Sequence, residues 1–138
     1  MASELVPITF NKIMQSRAYT VVILKTENKR FAIYMEPSVG QNIQRHLTNE
    51  RKARPSTHDL LNTIFAGFAI KPIQVVINDI EDTIYFARLY LEQPIGEQKI
   101  IVELDARPSD CVTIALMYNI PVFCRKDILE KAVAVEED

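Results

Sequence analysis

Apolar positions along the chain change period in a way that separates strands from helices. Residues 5–14 and 19–25, the second reading Tyr-Thr-Val-Val-Ile-Leu-Lys, are rich in β-branched side chains and predict two strands with Gln15-Ser16-Arg17 between them. Glu27-Asn28-Lys29 is a turn signal leading into a third strand, 30–35. Pro37 suits the first position of a helix to about Asn49, with Val39, Ile43 and Leu47 spaced by four. After a polar connector, Arg51-Lys52-Ala53-Arg54-Pro55, Ser56 or Thr57 can cap a helix over 57–68, with Asp59 as the capping-box acid. Leu60, Leu61, Ile64, Phe65 and Phe68 form its apolar face.

From Pro72 the period shortens to two. Val75–Ile77 and Thr83–Leu91 predict a hairpin turning at Glu81-Asp82, with Ile84, Phe86, Leu89 and Leu91 as the alternating set and a slip at Ala87-Arg88 that suggests a bulge. A turn around Pro94-Ile95-Gly96-Glu97 leads to a strand over Lys99–Leu104, ending at Asp105. Pro108 then opens a helix that places Cys111, Ile114, Ala115 and Tyr118 on one side and stops at Asn119. A short strand, Pro121–Cys124, and a short helix, Lys126–Ala132, complete the order βββα–α–βββ–α–β–α. This predicts an α+β fold: one domain over 1–138, with a mixed, mostly antiparallel sheet, about four helices, a core over about 5–132 and an acidic tail over 133–138.

Composition fits that picture and narrows the function classes. The 138 residues are 48% apolar and 25% charged, as in soluble globular domains, which excludes a fibre, a disordered tail or a disulfide scaffold. The net charge of -2 excludes a strongly basic nucleic-acid glove. The charge is divided unevenly: residues 1–71 carry ten Lys/Arg against five Asp/Glu, and residues 72–138 carry six against thirteen. Glu136-Glu137-Asp138 reads as a solvated, frayed end. Cys111 and Cys124 have apolar neighbours and read as buried, reduced thiols. No apolar run approaches the roughly 20 residues that span a bilayer, and the first residues lack signal-peptide character, so a soluble cytoplasmic protein without membrane contact is expected.

Several familiar chemistries are absent: a Gly-rich phosphate loop, Cys-x-x-Cys, His-Glu-x-x-His and Gly-x-Ser-x-Gly. Two segments remain, Arg54-Pro55-Ser56-Thr57-His58-Asp59 and Asp105-Ala106-Arg107-Pro108-Ser109-Asp110. Each sets an Arg, a hydroxyl and an acid at a helix start, where unpaired N–H groups and the helix dipole favour anions. Arg54 or Arg107 could clamp a phosphate, with Ser109 beside it. Asp105 and Asp110, with His58 or Asp59, could instead hold Mg²⁺ or Mn²⁺ for phosphodiester hydrolysis. A structural role is also open at this point. Asp59 and Asp110 sit where a helix prefers an acid, and Ser56 and Ser109 are ordinary capping residues. His58 and Asp59 diverge by about 100° around a helix, which works against a shared metal. His46 lies on a polar helix face and reads as solvated.

The two segments, in this order and with Tyr85-Phe86-Ala87 and Asn119–Cys124 around them, strongly resemble the signature motifs of the bifunctional nuclease family. These are small bacterial domains with relatives among plant wound-inducible proteins. The resemblance runs from about Thr20 to about Glu130. It implies hydrolysis of both RNA and DNA with little sequence preference, and an α+β fold that self-associates, a dimer being favoured. Carried over by position, the candidate residues are Arg54, His58, Asp59, Asp105, Arg107, Ser109 and Asp110. Similar proteins usually carry an acid near Val39; in this chain Glu36 would have to take its place. Ser56 and Cys111 are milder departures from the motifs. Weak, salt-sensitive contact with nucleic acid is the expectation for so neutral a chain. The alternatives are a noncatalytic phosphate- or nucleotide-binding module, and a structural pairing that ties two helix starts together inside a homodimer.

Overall fold

A computed structural model describes residues 4–50 and 54–136. Three strands, β1 (Leu5–Gln15), β2 (Thr20–Lys25) and β3 (Arg30–Met35), precede the helices α1 (Pro37–Leu47) and α2 (Thr57–Gly67). Strands β4 (Lys71–Glu81), β5 (Ile84–Ile95) and β6 (Gln98–Ala106) follow, then α3 (Pro108–Tyr118), β7 (Val122–Arg125) and α4 (Lys126–Lys131). Most of the connector 51–53 and the acidic end 137–138 lie outside the described residues.

The strands form one seven-stranded sheet in the order β3-β2-β1-β7-β4-β5-β6. Every pairing is antiparallel except β4 with β7, so the sheet is mixed and mostly antiparallel, and the fold is α+β as the sequence predicts. The sheet curls enough for Phe31 on β3 to meet Tyr85 on β5, with ring centroids 5.5 Å apart. The core lies inside the curl, around Val22, Phe31, Val75 and Ile77, all fully buried. Helix α3 is buried along Cys111–Ala115 and packs on β3, β4 and β5, which explains why it is apolar on nearly every side.

Turn chemistry sets the element ends. Asn119 adopts the left-handed conformation (φ 53°) that ends α3, and Gly96 (φ 60°) turns β5 into β6. The β4–β5 hairpin turns at Asp82-Thr83, with Asp82 at φ 56°, one residue later than expected. Gly40 is required by packing: a Cβ there would sit 2.0 Å from Thr20 Oγ1, so α1 lies directly on β2.

Two readings of the pattern are corrected. On β5 the inward set is Tyr85, Ala87, Leu89 and Leu91, with no slip, and Ile84 is exposed. The irregularities fall on β4 instead, between Ile77 and Asp79 and between Pro72 and Gln74. Ala87 is fully buried, and its small size masks the alternation in sequence. On α2 only Leu61 and Phe65 of the apolar face meet the core, while Leu60, Ile64 and Phe68 stay exposed. The tail is also held further than a frayed end would be. The Val135 N–H donates to the Arg30 carbonyl, and the Arg30 guanidinium donates to the Glu136 carbonyl.

Candidate functional site

The two motifs meet. Both begin a helix, but in different frames. In the first, Ser56 is the N-cap and Pro55 precedes it; in the second, Arg107 is the N-cap and Pro108 is the first helical residue. Asp59 and Asp110 therefore occupy the same helical position with different neighbours. Ser56 Oγ accepts from the Asp59 N–H at 3.2 Å, and Asp59 Oδ2 accepts from the Ser56 N–H at 2.7 Å, a complete capping box. Arg107 offers no hydroxyl for such a box, so the Asp110 carboxylate turns elsewhere.

It turns to His58. The His58 Nε2–H donates to Asp110 Oδ1 at 3.0 Å, and the Arg107 Nε–H donates to Asp110 Oδ2 at 3.1 Å. On the far side of the ring, the Asn42 Nδ2–H donates to His58 Nδ1 at 3.2 Å. With the Asn42 amide in this orientation, Nδ1 accepts and Nε2 carries the hydrogen. Asn42 and His58 are both buried, and Asn42 Oδ1 has no hydrogen-bond partner among the described residues. Three helices thus hold one imidazole: α1 through Asn42, α2 through the ring itself, and α3 through Asp110.

The line opens on a cavity of about 660 Å³ walled by Glu36, Asn42, His58, Asp105, Arg107 and Asp110, with Leu61, Phe65, Leu89 and Ile114 lining its apolar part. Asp105, at the end of β6, also borders a second cavity of about 740 Å³, as do Glu36, Arg107 and Ser109. Arg107 Nη1 lies 3.8 Å from Glu36 Oε1, so Arg107 stands between two acids. Those partners, Asp110 before Glu36, hold the guanidinium even more firmly protonated than usual. Burial, reinforced by the fields of Asp110 and Asp105, pushes the Cys111 thiol up to about 12, which makes it an inert packing residue. Cys124 is likewise buried and free.

The remaining candidates are placed differently. Asp59 is committed to the cap of α2 and faces neither cavity. Arg54 is exposed just ahead of α2 and lines neither one. Ser109 is buried, and its carbonyl accepts from Thr113 Oγ1. His46 is exposed and bonded to the Leu116 carbonyl at 3.2 Å, not simply solvated. The described cations of the basic first half are divided: Arg54 stands ahead of α2, while Lys25, Lys29 and Arg30, joined by Lys126, line a separate cavity that also holds Glu27 and Glu130. Asn42 went unnoticed in the sequence. It lies three residues after Val39, on the stripe that faces inward, and a buried amide there is the signal that could have found it.

A small α+β domain with a His–Asp–Arg line at the junction of three helix segments is the class these features define. Over residues 22–137 the chain matches the family model for the bifunctional nuclease domain, and it belongs to that family. It is 26% identical over 125 residues to an uncharacterised protein of Mycobacterium tuberculosis, covering 88% of this chain and 71% of that one. It is 30% identical over 82 residues to Bifunctional nuclease 2 of Arabidopsis thaliana, covering 58% of this chain and 24% of the plant protein. A bifunctional nuclease of Oryza minuta is 31% identical over 78 residues, 55% of this chain and 23% of that one. Among the described residues, no helix is long and apolar enough to cross a membrane.

Proposed function

We propose that the protein is a divalent-metal-dependent, sequence-nonspecific nuclease that hydrolyses phosphodiester bonds of RNA and DNA in the cavity between the two motifs. The observation that carries this reading is the 3.0 Å contact between His58 and Asp110, residues 52 apart in the sequence, which joins the two motifs into one line of polar groups facing a cavity. Family membership and the plant relatives named as bifunctional nucleases support it.

Each residue has a physical role in this reading. His58, oriented by Asn42 and Asp110, is the group placed to move a proton. Arg107 and the first-turn N–H groups of α3 receive the phosphate, with Ser109 beside them. Asp59 fixes the first turn of α2 and hence the ring of His58, and exposed Arg54 meets the polyanion outside the cavity. The cavity walls carry three carboxylates, Glu36, Asp105 and Asp110, against one guanidinium. A phosphate backbone is repelled by that surplus unless a cation offsets it. Among the described residues, no three His, Cys, Asp or Glu side chains converge as a ready-made metal site. Asp105 and Asp110 nevertheless fit Mg²⁺ or Mn²⁺, because Mg²⁺ is typically held by one or two carboxylates together with water and substrate phosphate. Such an ion would supply Lewis acidity to the phosphoryl oxygens. Contact with nucleic acid is weak and salt-sensitive, the protein self-associates, and its buried free thiols suit a reducing cytoplasm.

A noncatalytic phosphate- or nucleotide-binding module is the second reading. It is favoured by Asp110, whose two oxygens already accept from His58 and Arg107. One experiment separates the two. Purified protein is incubated with RNA and single-stranded DNA in Mg²⁺, in Mn²⁺ and in chelator, and its melting is followed with mononucleotides. Metal-dependent cleavage that disappears in His58→Ala supports the nuclease. Intact substrates, with melting raised by nucleotide in the absence of metal, support the binding module.

A further inference from the structure

The two edges of the sheet are finished differently. At one edge, β3 buries Phe31, Ile33 and Met35, and the tail lies against it through Val135 and Arg30. At the other edge, no residue from Gln98 to Asp105 is buried. Ile100, Ile101, Val102 and Leu104 are 45%, 53%, 41% and 39% exposed. The strand has nine residues, contains no proline and pairs with β5 in unbroken register. An edge this long, regular and apolar is a template for another strand.

Its surroundings continue the apolar surface. Ile100, Val102 and Leu104 pair with Gln93, Leu91 and Leu89 and so share the helix-covered face of the sheet. On that face α2 presents Leu60, Ile64 and Phe68 at successive turns, and the Gln93 amide donates to the Phe68 carbonyl, tying the end of α2 to the sheet beside β6. An exposed apolar edge strand, with further exposed apolar side chains on a helix tied to the neighbouring strand, marks an interface.

The sequence of β6 says what fits there. Read antiparallel against itself with Val102 at the centre, all nine residues pair. On one face Ile100 meets Leu104 and Val102 meets Val102; on the other Lys99 meets Asp105 and Ile101 meets Glu103. Centring on Ile101 instead would set Lys99 opposite Glu103 but carry Asp105 and Ala106 past the start of the strand, opposite Glu97 and Gly96. Apart from Ile101 against Glu103, the charged and apolar residues of this strand match their own reverse, which makes it complementary to a second copy.

We propose that β6 pairs antiparallel with β6 of a second copy of this chain about a two-fold axis through Val102, joining two seven-stranded sheets into one. The axis keeps both α2 helices on the same side of the joined sheet. It also sets Lys99, ion-paired with Glu92 of its own copy at 3.1 Å, opposite Asp105 of the other copy, on the face away from Val102. The pairing requires nothing of the reaction, and it stands or falls apart from the nuclease reading.

The test is a cysteine scan with a mass measurement. Sedimentation of the wild type gives twice the 15.8 kDa chain mass. Val102→Cys, oxidised, gives a covalent dimer, because a residue on the axis faces its own copy at a distance a disulfide spans. Ile101→Cys does not. Cys111 and Cys124 are buried and do not interfere. Lys99→Glu replaces two attractive cross-strand pairs with repulsive ones and weakens the dimer about tenfold. A wild type that stays at 15.8 kDa up to its solubility limit overturns the proposal. So does a dimer in which Ile101→Cys cross-links and Val102→Cys does not.

Discussion

Gly40→Ala tests the packing that positions the site. In an ordinary helix interior this change stabilises by up to about 1 kcal/mol, because alanine is the better helix former. Here the new Cβ would lie 2.0, 2.4 and 2.5 Å from Oγ1, Cγ2 and Cβ of Thr20. Thr20 is fully buried on β2 and has no room to withdraw, so α1 must lift. Overpacking of this kind costs about 1–3 kcal/mol, and so short a contact puts it near the upper end. The expected loss is about 2–3 kcal/mol, or about 8–12 °C in Tm at this chain length. Since α1 carries Glu36 and Asn42, the same lift loosens the hold on His58. The assay is denaturant and thermal unfolding of Gly40→Ala, Thr20→Ala and the double variant. Thr20→Ala removes the two nearest atoms and leaves the Cβ at 2.5 Å, so the double variant recovers part of the loss and the pair shows coupling. A Gly40→Ala variant that melts at or above the wild type, or a coupling of zero, refutes the close approach of α1 to β2.

Other expectations follow from single interactions. Ser56→Ala removes the hydroxyl half of the α2 capping box and costs about 1 kcal/mol of stability, read by chemical denaturation. Phe65→Ala empties a site only 6% exposed and costs about 3–5 kcal/mol, read the same way. Burial, with Asp127 nearby, pushes the Cys124 thiol from its ordinary 9.0 up to about 12. The folded state therefore holds that proton more tightly than the unfolded one. Its contribution to stability is intact below pH 9 and is lost as the pH rises toward 12, which a pH series of melting curves records, with Cys124→Ala showing a smaller alkaline decline.

The element order was legible because each segment carries a local signal: period-two runs for the strands, proline or a capping serine at helix starts, and Asn119 at the end of α3. What the sequence left open depends on three-dimensional company. The apolar stripe of α2 is five residues wide, and nothing within it says that Leu61 and Phe65 face the core while Leu60, Ile64 and Phe68 do not. Asp59 and Asp110 read alike, each an acid soon after an Arg-Pro-Ser. They part only because Ser56 is an N-cap with a hydroxyl to share and Arg107 is an N-cap without one. Asn42 needs the fold, since its burial beside His58 depends on how α1 packs against the start of α2. The basic half of the chain shows the limit of charge arithmetic, because Lys25, Lys29 and Arg30 gather at a different cavity.

The central claim is that the cavity joining the motifs is where phosphodiester bonds are cut. The most direct measurement compares Asp105→Asn with Asp59→Asn in an RNA and DNA cleavage assay with Mn²⁺, alongside the melting temperature of each. Asp105 borders the cavity, while Asp59 serves the cap. The account predicts that Asp105→Asn abolishes cleavage with little change in Tm, and that Asp59→Asn lowers Tm and keeps most of the cleavage. Cleavage that survives Asp105→Asn unchanged contradicts it.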